Sequence, residues 1–151
     1  MVQLVENLVK IFTSGKFMSI FTSGLLMTVE MSLGAAVLGL VLGTVVALVN
    51  LSKSKSPLMV LPRVLCKIYI TVIRGTPMAL QLFIMAFVII TVRGFPQVHV
   101  AIFSFGINSG AYVAENIRAG IMSVDIGQTE AGLSLGLSRR TTMVRIVIPQ
   151  A

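Results

Sequence analysis

The chain has 151 residues, of which 56% are hydrophobic and 11% are charged, and its mean hydropathy is +0.97. Soluble domains carry about 25% charged residues and could not bury this much apolar surface at this length, so the composition excludes an ordinary soluble domain and indicates a membrane protein. The net charge of +7 comes from basic residues that lie mostly in loops beside apolar runs, which fits the positive-inside rule and argues against nucleic-acid binding.

The first twenty residues do not have the pattern of a signal peptide, because Glu6 lies near the start and no compact apolar core or small-residue cleavage site follows. Leu4, Leu8 and Ile11 recur at helical spacing, and Glu6 and Lys10 are one helical turn apart. This pattern predicts a short amphipathic helix at the membrane surface within 1–20, with an unstructured tail as the alternative.

The first predicted membrane crossing is the uncharged run 31–51, which at about 1.5 Å per residue spans roughly 31 Å, the thickness of a bilayer core. We extend it back to residue 25, which places Glu30 inside the helix. Four small residues share one face at four-residue spacing: Ala35, Gly39, Gly43 and Ala47. Such a row favours a helix-packing face over the ordinary glycine and alanine content of a membrane helix.

The connection that follows is predicted to be cytoplasmic, because it is crowded with the basic residues Lys53, Lys55, Arg63 and Lys67. The N-terminus is then outside. The chain crosses back in a second helix at 68–92.

That second helix contains the sequence Arg74-Gly75-Thr76-Pro77. Pro77 removes a helix hydrogen bond and Gly75 loosens the same turn, so a kink or break is predicted there. Arg74 is either a functional charge inside the membrane or a side chain that reaches the cytoplasmic interface.

The third predicted crossing is 98–122. Glu115 and Arg118 are three residues apart on one of its faces, where they can neutralise each other near the inner end of the membrane, or form an ordinary interfacial ion pair. Cys66 and His99 are the only residues of their types, so neither an internal disulfide nor a Cys/His metal site is expected.

The segment 127–151 is more polar than the rest. Glu130 to Leu135 can form a short helix that Gly136 ends in a left-handed cap, and Ser138 can cap a second helix whose apolar side includes Met143 and Val147. These patterns predict a helix–turn–helix that is either a docking element or an amphipathic linker.

The same segment, GQTEAGLSLGLSRRTTMVRIVIPQA, resembles the EAA loop of the membrane subunits of bacterial ABC importers. The matching positions are Gly127, Glu130, Ala131, Gly136, Ile146 and Pro149. Two earlier stretches, IRGTPMALQLF at 73–83 and SGAYVAENIRAGI at 109–121, resemble the polar amino acid branch of these permeases. Gly132 departs from the motif and is expected to loosen the first short helix by about 1 kcal/mol relative to alanine, and Ile148 replaces the usual leucine.

The resemblance implies an all-α membrane protein with the fold of a type I ABC importer transmembrane domain over 21–151. The expected helices are 25–51, 68–92 and 98–122, followed by the cytoplasmic EAA loop, with its coupling helix, at 123–148. Family members continue for two or more membrane helices beyond this point, so the chain is expected to be the N-terminal part of a permease.

The resemblance further implies a permease subunit of an ATP-driven amino acid importer in the cell membrane. The alternative is a membrane scaffold or regulatory fragment that binds the ATPase without transporting. The implied partners are cytoplasmic ABC ATPase subunits, a second permease subunit (the same or different), an extracytoplasmic amino acid binding protein and membrane lipid. The chain has no P-loop motif, so ATP hydrolysis is expected in a partner, and no catalytic residue, cofactor or metal is expected here.

The implied roles follow the matched positions. The six EAA-loop residues would form the ATPase-coupling surface. Arg74, Gly75, Thr76 and Pro77 would set a bend along the translocation path, and Glu115 and Arg118 would hold the third helix near a gate.

Overall fold

The computed structural model describes residues 2–13, 15–52, 56–91 and 94–151. In these ranges the chain is helical and contains no strand. The helices are α1 (Val2–Thr13), α2 (Gly15–Leu51), α3 (Val60–Gly75), α4 (Met78–Ile84), α5 (Gln97–Ser123), α6 (Ile126–Ser134) and α7 (Arg139–Thr142). A 3₁₀ turn, Pro57–Met59, precedes α3, and π-helical segments continue α4 through Met85–Ile89 and α7 through Met143–Val147, before a last 3₁₀ turn at Ile148–Gln150.

The helix predicted near the N-terminus is present as α1. The side chains of Leu8 and Ile11, on which its amphipathic pattern depends, lie outside the described residues, as do Lys53 and Lys55 of the basic connection. The position of α1 at a membrane surface therefore stays a prediction.

The helix α2 is continuous over 37 residues and begins at Gly15 rather than near Leu25. Its early part is rich in hydroxyl side chains, and these do not stop the helix because they bond within it. The hydroxyl of Thr22 donates to the carbonyl of Met18 at 2.8 Å, and that of Thr28 donates to Gly24 at 2.9 Å. Glu30 lies inside the helix, as predicted.

The region predicted as one crossing at 68–92, with a kink or break near Pro77, consists of the end of α3, then α4 and its π-helical continuation. After Pro57, which suits the first position of a helical turn, the helix runs to Gly75, and α4 starts at Met78 with a bend of 110°. Arg63 and Lys67 consequently lie in α3 and not in a loop. The break predicted from Gly75 and Pro77 is present.

Of the described helices, α2 alone is long and apolar enough to cross a membrane by itself, and the bent pair Pro57–Gly75 and Met78–Ile89 could form a second crossing. The third predicted crossing, α5, has 27 residues, and it is less uniformly apolar because some of its polar side chains contact α3 and α4. Asn108 bonds Gln81 and Glu115 pairs with Arg74.

The main packing contact joins α2 and α5, which run parallel. A Cβ atom added to Gly34 would meet Ile102, and one added to Gly43 would meet Val113, so the contacts advance in the same direction along both helices. The buried residues of α2 include Ala35, Gly39, Gly43 and Ala47. Their lack of bulk allows a close approach: a Cβ on Gly39 would lie 2.8 Å from that of Ser109.

The helix α3 packs beside this pair. Cys66, Tyr69 and Ile70 contact a small core of Val46, Ala47 and Ala114. The hydroxyl of Tyr69 donates to the carbonyl oxygen of Ile107 at 2.5 Å. Most other large apolar side chains of α2 to α4 are exposed, as expected for surfaces that meet lipid or further helices.

Candidate functional site

Residues 125–151 form a helical hairpin that follows directly from α5. Asp125 starts α6 by accepting a hydrogen bond from the backbone N–H of Gly127 at 2.6 Å. Gly136, with φ of +81°, ends the helix. Its N–H donates to the carbonyl of Leu133 at 3.0 Å, and the N–H of Leu137 donates to that of Gly132 at 3.1 Å. These are the two bonds of a Schellman cap, so the cap predicted at Gly136 is present.

The second arm of the hairpin begins at Ser138, whose hydroxyl accepts from the N–H of Thr141 at 3.1 Å, as the sequence predicts. The hydroxyl of Thr142 donates back to the carbonyl of Ser138 at 3.1 Å. Both ends of the turn are therefore fixed by local hydrogen bonds, and the hairpin is ordered without help from a partner.

The two arms meet at Gly132. A Cβ atom on this residue would lie 2.7 Å from Cγ2 of Thr142 and 3.1 Å from Cδ1 of Ile146, and Thr142 is fully buried. The expectation that Gly132 loosens the hairpin is therefore incomplete, because the missing methyl group is what lets the arms touch.

The outer face of the hairpin is exposed and partly apolar. Leu135 at its tip is 81% exposed and Ile126 is 73% exposed. Arg139 and Arg140 lie beside the tip and are exposed, as are Glu130, Ala131 and Pro149, whereas Gly127 and Ile146 are half-buried. Leu135 was not among the predicted site residues, although a leucine at the turn of a polar hairpin was a visible signal.

The base of the hairpin contacts the end of α5. A Cβ atom on Gly120 would lie 3.2 Å from the carbonyl oxygen of Ala151. The hairpin therefore adjoins α5 both along the chain and through this contact.

A second cluster lies where α3 ends against α5. Arg118 donates to both carboxylate oxygens of Glu115, with Nε to Oε2 at 3.0 Å. Arg74 approaches the same carboxylate at 3.8 Å, and its guanidinium carbon lies 5.3 Å from the centre of the Tyr112 ring, within the range of a cation–π contact. The structure thus brings Arg74, Glu115 and Arg118 together, with two positive charges on one negative charge.

Next to this cluster, polar groups bridge the break between α3 and α4; Thr76 was predicted as a site residue, whereas Gln81 and Asn108 were not. The hydroxyl of Thr76 donates to the carbonyl of Val72 at 2.9 Å. Gln81 bonds to the end of α3 and to Asn108 of α5. A single amide in the apolar run after Pro77 was the available signal. A methyl group added at Gly75 would have no neighbour within 4 Å, so no close contact requires a glycine there.

No group of three His, Cys, Asp or Glu side chains that could hold a metal ion occurs among the residues that the structure describes. The candidate site consists of an exposed hairpin and a partly buried polar cluster, which α5 connects.

These features agree with comparisons to known proteins. The profile of the family described as "Binding-protein-dependent transport system inner membrane component" matches residues 39–151. The chain therefore belongs to this family of transporter membrane subunits. The relatives described next are named as permease proteins of amino acid transport systems.

The L-cystine transport system permease protein TcyB of Bacillus subtilis (strain 168) is 37% identical over 128 residues, covering 82% of this chain and 51% of the relative. The putative glutamine transport system permease protein GlnP of Rickettsia prowazekii (strain Madrid E) is 39% identical, covering 83% and 56%. The arginine transport system permease protein ArtQ of Bacillus subtilis (strain 168) is 37% identical, covering 82% and 55%.

Among solved structures, the fold matches a crystal structure of an amino acid ABC transporter with histidines. The TM-score is 0.78 and the identity 38%, over 89% of this chain and 61% of the matched chain. The chain spans about half the length of the curated relatives it matches.

Proposed function

We propose that this chain is part of the membrane-spanning subunit of an ATP-driven amino acid importer, and that the helical hairpin 125–151 is the surface gripped by a cytoplasmic ATPase. The family membership supports the transporter class. The names of the relatives support an amino acid as the substrate class.

The observation that carries the coupling role is the exposed tip of the hairpin. Its backbone ends are capped within the chain, so Leu135, which is 81% exposed, is not needed to hold the hairpin together. An apolar side chain on a rigid, water-facing turn beside Arg139 and Arg140 suits an apolar pocket with an acidic rim on a partner.

The polar cluster is proposed to border the translocation path. Arg74 and Thr76 lie at the break between α3 and α4, and the ion pair of Glu115 and Arg118 on α5 lies against Arg74. Polar and charged groups at membrane depth are tolerated where they face protein or a water-filled cavity.

The remaining partners follow from this role. They are a second permease subunit that completes the path and an extracytoplasmic protein that delivers the amino acid. The proposed topology has the N-terminus outside and the hairpin in the cytoplasm. ATP is hydrolysed by the partner and not by this chain.

The proposal is tested with two substitutions at Gly136, in the permease assembled with its ATPase in vesicles. Gly136→Val forces a β-branched residue into a left-handed conformation, and we expect ATP-driven amino acid uptake to be lost. Asparagine adopts that conformation readily, so Gly136→Asn should leave the hairpin intact. Its side chain enters space that this chain leaves open. A loss of uptake in Gly136→Asn would therefore indicate a clash with the ATPase surface.

Membrane insertion should be unchanged in both variants. Unchanged uptake in Gly136→Val would contradict the coupling role. If the wild-type chain binds the ATPase but gives no ATP-dependent uptake, it acts as a scaffold and the transport proposal fails.

A further inference from the structure

The break between α3 and α4 leaves carbonyl groups without their usual helix partners. In a continuous helix the carbonyl of Ile73 would accept a hydrogen bond from the N–H of residue 77. That residue is Pro77, which has no N–H. An unpaired carbonyl is costly in an apolar environment, so another donor is needed at this point.

The side chain of Gln81 provides that donor. Its Nε2 lies 2.8 Å from the carbonyl oxygen of Ile73, 3.2 Å from that of Thr76 and 2.7 Å from Oγ1 of Thr76. Carbonyl oxygens only accept, so the NH₂ group of Gln81 must face α3. The amide one turn into α4 thus replaces the N–H that proline removes.

The other end of the same amide is bound to α5. With its NH₂ group turned towards α3, Gln81 presents Oε1 to Asn108, whose Nδ2 donates to it at 3.0 Å. One side chain therefore connects three helices at the break. From Asn108, α5 continues as one helix for about 22 Å to Ser123, where the hairpin begins.

We propose that Gln81 is a positioning residue for transport: its amide fixes the angle between α3 and α4 and, through Asn108, ties that angle to α5 and hence to the hairpin. We call the contact of Gln81 with Ile73, Thr76 and Asn108 the joint. Its role in transport rests on the proposed function, whereas the joint itself belongs to the fold. A shift of α5 driven from the hairpin would pull on Oε1 of Gln81 and change the break beside Arg74.

The joint is tested by distances between paired spin labels, in a Cys66→Ser background. One pair replaces Leu61 of α3 and Val88 after α4, which are 66% and 70% exposed, and reports the bend. The other pair joins Val88 to the exposed Ala119 of α5 and reports the tie to α5. Each pair should give a single narrow distance distribution in the unaltered joint.

Gln81→Met keeps the length of the side chain and removes the amide, so both distributions should lose their single narrow peak. Asn108→Leu removes only the hydrogen bond between Gln81 and α5. The distance distribution of the bend pair should therefore stay narrow, while that of the α5 pair broadens. Gln97→Met, the same change at an exposed position in the first turn of α5, is the matched control and should alter neither. A narrow bend distribution in Gln81→Met, or a narrow α5 distribution in Asn108→Leu, would overturn the inference.

In vesicles with the ATPase, both joint variants should transport less amino acid per ATP hydrolysed than the wild type, and the double variant should lose no more than Gln81→Met. An unchanged ratio of uptake to hydrolysis would overturn the transmitting role. If the distances change as expected but the wild type shows no ATP-dependent uptake, the proposed function is wrong, whereas the structural role of Gln81 is supported.

Discussion

Glu115 supplies the negative charge that both arginines of the polar cluster share. Arg118 binds both of its carboxylate oxygens and Arg74 lies at 3.8 Å. If Glu115 is neutralised, two guanidinium groups face each other without a counter-charge, whereas the loss of one arginine leaves a neutral pair.

We therefore expect Glu115→Gln to lower the melting temperature of the purified protein more than Arg118→Gln or Arg74→Gln, because removal of the shared partner leaves uncompensated charge. Glu30→Gln, at an exposed position on α2, controls for the loss of one negative charge. Equal decreases for the three cluster variants would show that the carboxylate is not the centre of the cluster. Thermal unfolding in one detergent is the measurement.

The sequence predicts only part of this cluster. Glu115 and Arg118 are three residues apart on one helix, so their pairing follows from helix geometry. Arg74 and Tyr112 belong to different helices, and whether they meet depends on the angle of the break, which no local pattern sets. The same holds for Gln81 and Asn108, whose contact was not predicted.

At the scale of helices, the row of small residues on α2 determines how closely α5 can approach. A Cβ atom on Gly43 would lie 2.6 Å from Cβ of Val113 and 2.7 Å from the carbonyl oxygen of Gly110. Neither atom is the flexible end of a side chain, so the helices would have to separate.

Gly43→Ala should therefore destabilise the protein by about 1–3 kcal/mol, the usual cost of overpacking. Gly24→Ala is the matched control, since it lies on the same helix and has no neighbour within 4 Å of the added methyl group. The control should gain up to about 1 kcal/mol of stability, because alanine has a higher helix propensity than glycine. Equal stabilities of the two variants, measured by unfolding in one detergent, would mean that α2 and α5 are not tightly packed at Gly43.

The hairpin depends on a similar close approach. Gly132→Ala places a methyl group 2.7 Å from Cγ2 of Thr142, and we expect its arms to separate, at a cost of about 1–3 kcal/mol. Thr142→Ser removes that methyl group and keeps the hydroxyl, so the double variant should recover in part; Oγ1 of residue 142 and Cδ1 of Ile146 stay within 3.0–3.1 Å of the added methyl group.

Separation of the two arms can be measured by trypsin cleavage, because Arg139 is exposed at the start of the second arm. Cleavage there should be faster in Gly132→Ala than in the wild type, and should return towards the wild-type rate when Thr142→Ser is added. A rate that stays fast in the double variant would place the strain elsewhere than at Thr142.

The helices also show which structural features local sequence patterns can predict. The caps at Gly136 and Ser138 follow from local chemistry and were predicted. The start of α2 was not, because Thr22 and Thr28 resemble loop residues until their hydroxyls are seen to bond within the helix. The contact at Gly132 was missed since it joins the two arms of the hairpin, and a glycine read locally only loosens a helix.

For the whole molecule, the parallel arrangement of α2 and α5 constrains the topology. If both helices cross the membrane, their first turns lie on one side and the hairpin that follows α5 lies on the other. The end of α2 and the 3₁₀ turn at Pro57–Met59 then lie on the same side as the hairpin. Basic residues near these ends predict that this side is the cytoplasmic one.

Single cysteines in a Cys66→Ser background test this arrangement with a maleimide that cannot cross the membrane. Cysteines at Leu58 and Leu135, which are 84% and 81% exposed, should react only when the cytoplasmic face is accessible, and one at Phe95, just before α5, should react in intact cells. Reaction of Leu135→Cys in intact cells would put the hairpin outside, out of reach of an ATPase. Reaction of Leu58→Cys and Leu135→Cys from opposite sides would contradict the parallel packing itself, because α2 and α5 could not then end on the same face.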